Sequence, residues 1–93
     1  MDTGDIAFMN EQKRRKNERK FRQWVSLSGG GRRYSYDVLS RRSGWKARYI
    51  KDVNADEETV RFWQEIYDDH GTLVEIHQKF PEDTGHQQIE DKS

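Results

Sequence analysis

Apolar and polar positions alternate with period two through most of the chain from Phe21 to Phe80. The clearest stretch is Thr59 to Phe80. There Val60, Phe62, Gln64 and Ile66 alternate with Arg61, Trp63, Glu65 and Tyr67, and Val74, Ile76, Gln78 and Phe80 alternate with Leu73, Glu75, His77 and Lys79. Successive side chains of a strand point to opposite faces, so this pattern predicts a β-hairpin with one apolar and one polar side. Asp68-Asp69-His70-Gly71 between the runs fits a type I turn with Gly71 left-handed in a G1 bulge. With Asp68 opposite Thr72, Ile66 faces Val74, Gln64 faces Ile76, Phe62 faces Gln78 and Val60 faces Phe80. On the other side Tyr67 meets Leu73, Glu65 meets Glu75, Trp63 meets His77 and Arg61 meets Lys79. The last register sets Glu on Glu and Arg on Lys, each unfavourable by roughly 0.2–1 kcal/mol, so diagonal partners, a further strand or a ligand should relieve them.

The same period predicts three earlier strands: Phe21–Leu27, Arg33–Leu39 and Trp45–Val53. Ser28-Gly29-Gly30-Gly31, Ser40 to Gly44 and Asn54 to Glu58 separate them as turns. Upstream, Asn10 to Arg22 is rich in Glu, Gln, Lys and Arg, with i,i+4 pairs Glu11/Arg15 and Glu18/Arg22 that favour helix. No apolar stripe is present to dock it, so a basic helix or a disordered arm is expected. Pro81 stops the last strand and a polar tail follows. The fold class is α+β: a five-stranded antiparallel meander at 21–81, open or curled into a small barrel, preceded by the basic segment 1–20 and followed by a loose tail at 82–93.

Composition narrows the function. Apolar residues make up 31% and charged residues 37% of 93, so one domain with a thin core is expected and a homodimer would help bury surface. Cysteine is absent, which excludes disulfides and thiolate metal sites. No apolar run is long enough to span a bilayer and no signal-peptide pattern opens the chain, so a cytoplasmic protein with no membrane partner is expected. The zero net charge hides an asymmetry: residues 1–53 carry 14 Lys/Arg and 6 Asp/Glu, and residues 54–93 carry 3 and 11. Such a chain can attract an anion at one end or neutralise itself on folding.

Cations interleaved with aromatics suit nucleic acid, the cations meeting phosphates and the rings meeting bases. The candidate contacts are Lys13, Arg14, Arg15, Lys16, Arg19 and Lys20 in the arm, Arg41 and Arg42 in a turn, and Lys46, Arg48, Arg61, Trp63, Tyr67 and Lys79 on the polar sheet face. The competing structural reading packs Trp63 and Tyr67 beneath the N-terminal segment as a second small core. A catalytic reading uses the same face: His77 as general acid or base, Glu65 and Glu75 as a coupled carboxylate pair, Arg48, Arg61 and Lys79 on a phosphate. No cofactor is implied. His70, His77 and His86 are seven and nine residues apart, not at paired-ligand spacing, leaving Glu65/Glu75/His77 as the one divalent-ion alternative. The glycine run matches no phosphate-binding fingerprint, and no serine sits in a nucleophile motif.

Two blocks, Gly44-Trp45-Lys46-Ala47-Arg48-Tyr49-Ile50-Lys51 and Gln64 through His86, resemble small uncharacterised prokaryotic proteins of the domain-of-unknown-function type. The Tyr34-x-Tyr36 strand followed by a Trp/Arg-Tyr strand distantly resembles the β-meander toxins of toxin–antitoxin pairs, whose His-rich ending is matched here by His86 alone. The resemblance implies a prokaryotic or phage context. Three functions are therefore in view. The first is a non-enzymatic binding protein for RNA, DNA or a protein partner. The second is a metal-independent endoribonuclease toxin. The third is an acidic inhibitor or mimic that meets a basic partner through Asp56 to Glu58 and Asp68-Asp69.

Overall fold

The structure is a computed structural model that describes residues 3–89. One helix, α1 (Thr3–Phe21), precedes six strands: β1 (Gln23–Ser26), β2 (Arg32–Leu39), β3 (Lys46–Val53), β4 (Thr59–Tyr67), β5 (Leu73–Phe80) and β6 (Gly85–Gln88). The strands lie in sequence order in one sheet, each antiparallel to the next. Neighbouring strands with short connections pair this way because a tight turn reverses the chain. The meander is as expected, but β1 and β6 end the sheet as two separate edges, so the barrel alternative fails. The sixth strand falls in what the sequence suggested was a loose tail. Its segment, Gly85-His86-Gln87-Gln88, has no apolar alternation to announce it, and it pairs with Gln78 to Glu75 through the backbone.

The basic segment is a docked helix. Glu11 and Arg15 make the expected i,i+4 pair at 2.7 Å. Glu18 does not pair with Arg22 but reaches Arg32 at 2.8 Å. Arg22 leaves the helix at φ 68°, and its N–H donates to the Glu18 carbonyl at 3.0 Å, a left-handed C-cap made without glycine. The helix therefore ends at Phe21, which the sequence pattern had assigned to the first strand. Phe21 inserts as a core residue with Tyr34 and Val53, flanked by Tyr36 and Phe62.

An apolar stripe is indeed missing, and polar groups hold α1 in its place. Glu57 is their hub, its carboxylate 1% exposed. It accepts bonds from Arg14 Nε at 3.2 Å, Asn17 Nδ2 at 3.1 Å and Tyr34 Oη at 2.9 Å. Burial first, then the bond to Glu57, pushes the Tyr34 phenol up to about 12. The Asn54–Glu58 turn aims Glu57 inward at φ 61°, with the Asn54 side chain accepting from the N–H groups of Asp56 and Glu58. Gly31 brings the first turn close, because a Cβ there would sit on the Val53 carbonyl.

The β4–β5 turn is the one expected. Asp68 N–H donates to the Thr72 carbonyl at 2.9 Å, Gly71 N–H donates to the Asp68 carbonyl at 3.0 Å, and Gly71 stands at φ 79°. Tyr67 faces Leu73, also as expected, but the register then shifts by one residue. Ile66 pairs with Glu75, Gln64 with His77, Glu65 with Ile76 and Trp63 with Gln78. A one-residue slip sends every side chain of a strand to the other face. The Glu65/Glu75 and Arg61/Lys79 oppositions disappear, and Glu75, His77 and Lys79 move to the side that carries α1.

Candidate nucleic-acid interface

The sheet has a helix side and an open side. Phe21 touches Tyr34, Tyr36 and Phe62, so the even positions of β2, and those of β4 from Phe62 onward, face α1, and their odd neighbours face away. On the open side lie Arg33, Ser35, Asp37, Lys46, Arg48, Asp52, Arg61, Trp63, Glu65 and Tyr67, brought together as the sequence expected. Their chemistry is spent on one another. Arg33 and Asp52 form a two-pronged pair at 2.8 and 2.9 Å. Arg48 and Asp37 do the same at 2.7 and 3.1 Å, with Lys46 at 3.6 Å from the same carboxylate. The bond from Arg48 holds Asp37 below the usual carboxylate range, and these bonds raise Arg33 and Arg48 in turn. Trp63 lies buried under the guanidiniums of Arg61 and Arg33, 4.1 and 5.4 Å from its ring centre. Glu65 accepts from Trp63 Nε1 at 3.0 Å and from Tyr67 Oη at 2.6 Å. Trp63 and its cross-strand partner Ile50 are both buried, but on the face away from the N-terminal segment, so the expected packing of Trp63 and Tyr67 beneath that segment does not occur.

The helix side is built differently. Tyr36 and Tyr49 stack at 5.0 Å, and Tyr49 and Phe62 at 6.5 Å, in a cross-strand ladder. Lys20 stands 5.5 Å from the Phe21 ring centre and 5.9 Å from that of Phe62. Lys51 is 6.0 Å from Phe21, and Lys79 is 5.2 Å from Tyr49 and 5.9 Å from Phe62. Among the described residues no carboxylate stands within ion-pair distance of Lys20, Lys51 or Lys79. Lys51 donates one bond, to Asn17 Oδ1 at 3.0 Å, which leaves two ammonium protons. Burial, then the charge of Lys20, lowers the Lys51 ammonium below its usual range, against the opposing pull of Glu57. Lys20, Phe21, Lys51, Thr59, Phe62 and Phe80 line a hollow of about 280 Å³. A shallower one of about 290 Å³ adjoins it, shares Lys51 and Thr59, and adds Lys13, Lys16, Asn17, Glu57 and Glu58. Lys13, Lys16 and Lys20 share one helix face by their spacing, so the two hollows form one basic track.

Of the remaining sequence candidates, Arg14 is committed to Glu57 and Arg15 to Glu11, while Arg19 is exposed in the last turn of α1. Arg42 lies over Trp45 at 4.2 Å and lines a separate groove with Arg41. The catalytic constellation does not assemble. His77 and Glu75 are on the helix side, whereas Arg48, Arg61 and Glu65 are on the open side. His77 Nε2 contacts Asp83 Oδ1 at 2.6 Å, and its ring lies 4.4 Å from that of His86, which contacts Glu75 at 3.2 Å. The Glu65/Glu75/His77 metal alternative fails for the same reason, since the sheet itself separates Glu65 from the other two. The acidic patch is likewise dispersed: Glu57 is buried, and Asp68 accepts the N–H groups of His70 and Thr72.

Lys51, Thr59, Phe62 and Phe80 were not selected from the sequence as site residues. Period two does set Lys51 on the face of Tyr49, but that face was read as core. No helix among the described residues is long and apolar enough to cross a membrane. Compared with protein-family models, with curated proteins and with solved structures, the chain matches none.

Proposed function

We propose that this protein binds nucleic acid along the helix side of its sheet, through the track Lys13, Lys16, Lys20, Lys51 and Lys79. The observation that carries the reading is the contrast in counter-charge. On the open side Arg33, Lys46 and Arg48 are closed on Asp52 and Asp37, whereas Lys20, Lys51 and Lys79 gather over aromatic rings with no carboxylate of the described residues within ion-pair distance. A phosphate backbone supplies the missing negative charge, and its binding releases counterions from the nucleic acid. The interface thus keeps Lys13, Lys16, Lys20 and Lys79 from the contacts expected of the sequence. It drops Lys46, Arg48, Arg61, Trp63 and Tyr67, whose polar groups are held by Asp37, Gln78 and Glu65.

Fluorescence anisotropy with labelled RNA and DNA oligonucleotides, read from low to moderate salt, tests this. Affinity is expected to fall steeply with salt. The pair Lys20→Ala and Lys79→Ala together should flatten the slope of log K against log salt by roughly 1.4–1.8, at about 0.7–0.9 per lost phosphate contact. Lys46→Ala, on the open side, should leave that slope unchanged. Equal slopes for all three proteins, or no binding at low salt, would refute the assignment.

A further inference from the structure

The hollow at the end of the track is lined by aromatic rings and by two ammonium groups. Lys20 and Lys51 stand on the α1 and β3 side, with Thr59 beside them. Phe62 is the cross-strand partner of both Lys51 and Phe80, and with Phe80 and Phe21 it supplies the apolar part of the lining. Phe80 is 43% exposed, a ring left in water at the rim of a charged pocket. Ion pairing alone does not call for such a ring. A volume of about 280 Å³ lies just under the range of about 300–1,000 Å³ usual for ligand sites, so the hollow suits one small unit.

Resting on the nucleic-acid reading, we infer that this hollow takes a single unpaired nucleotide, with its phosphate on Lys20 and Lys51 and its base against Phe80 and Phe62. A duplex offers phosphates to the lysines, but its base faces are covered by their own stack. Only a single strand, a loop or an end can turn a base face onto a ring. The track then holds the flanking phosphates and the hollow reads strandedness. The two free protons of the Lys51 ammonium and the lowered position of that group agree with a site short of one anion.

The test measures four dissociation constants at one fixed salt concentration: a single-stranded oligonucleotide and the matching duplex, each with wild type and with Phe80→Leu. The single strand should bind wild type at least tenfold tighter than the duplex. Phe80→Leu keeps an apolar side chain but removes the ring. It should weaken only the single strand, by roughly 5- to 150-fold, the value of one stacked base. Phe80→Tyr should restore the difference. Thermal melting of each variant checks that the fold is intact, which the exposure of Phe80 favours. Equal affinity for strand and duplex, or a Phe80→Leu loss shared by both, overturns the nucleotide pocket and leaves the basic track standing. Absence of binding by any nucleic acid at low salt overturns both.

Discussion

The two faces of this sheet carry nearly the same residue types and use them in opposite ways. On the open side every strand-borne arginine finds a partner one strand away: Arg33 on Asp52, Arg48 on Asp37, Arg61 on Gln78. Trp63 is buried under the guanidiniums and gives its N–H to Glu65. On the helix side the aromatic rings stack on one another, and the lysines stand over them without carboxylates. A closed lattice of charge stabilises, because each group's field is neutralised within the protein. An unbalanced cluster costs stability until an anion arrives. The first face thus neutralises most of its charge within the sheet, and the second leaves Lys20, Lys51 and Lys79 with no carboxylate of the described residues at ion-pair distance.

The most disruptive way to break this contrast is to remove what seats the helix on its side. Glu57→Ala withdraws the acceptor shared by Arg14, Asn17 and Tyr34. Buried donors left without an acceptor cost about 1–3 kcal/mol, more beside charge, so a loss of roughly 2–3 kcal/mol is expected in urea unfolding. That is a large share of the ~5–15 kcal/mol typical of a domain. A change under about 0.5 kcal/mol would mean that Phe21 alone docks α1.

The docking of α1 also shows where the sequence was silent. Period two revealed β2, β3, β4 and β5, and the type of the Asp68–Gly71 turn, with Gly71 left-handed, was legible because turn chemistry is local. Helix docking by Glu57 was illegible: an acidic residue in an acidic turn looks like any solvated loop until its left-handed backbone turns it inward. The face of β5 was illegible for a related reason. The turn fixes Tyr67 against Leu73, but the shift between Ile66 and Tyr67 has no residue signature such as a glycine. That single step moved Glu75, His77 and Lys79 across the sheet, dissolving the catalytic candidate and adding Lys79 to the lysine cluster. That Asp37 and Asp52 would partner Arg48 and Arg33 was illegible because it depends on the β2–β3 register.

The open side is expected to respond to acid through Asp37. Asp37 titrates below its ordinary 3.8 because of Arg48, so its contribution to stability is full above that value and is lost as pH falls through the lower folded value. The pair is solvent-screened, so the amount is under about 1 kcal/mol. Asp37→Asn should therefore lower Tm slightly at neutral pH, and its Tm should approach that of the wild type as pH drops below 3.8. A difference that stays constant through that window would show that packing, not charge, is what Asp37 supplies.

Smaller still, and opposite in sign, is the effect of relieving the helix side. Lys51 is lowered from 10.5 by burial and by Lys20, so its charged form is disfavoured in the folded chain. The unfolded chain holds that proton more tightly, which means the group subtracts from stability at neutral pH. The deficit shrinks as pH rises through the folded value and is gone above 10.5. Lys51→Met keeps the aliphatic stem and removes the charge. It also gives up the bond to Asn17, which offsets part of the gain. A slight rise in Tm at neutral pH is expected, fading as the buffer becomes alkaline, together with weaker binding of a single-stranded oligonucleotide. Stability and binding moving in opposite directions on one substitution is what a reserved charge predicts. If Lys51→Met lowered Tm and left oligonucleotide affinity intact, Lys51 would belong with the arginines of the open side, and the helix side would be as closed as its counterpart.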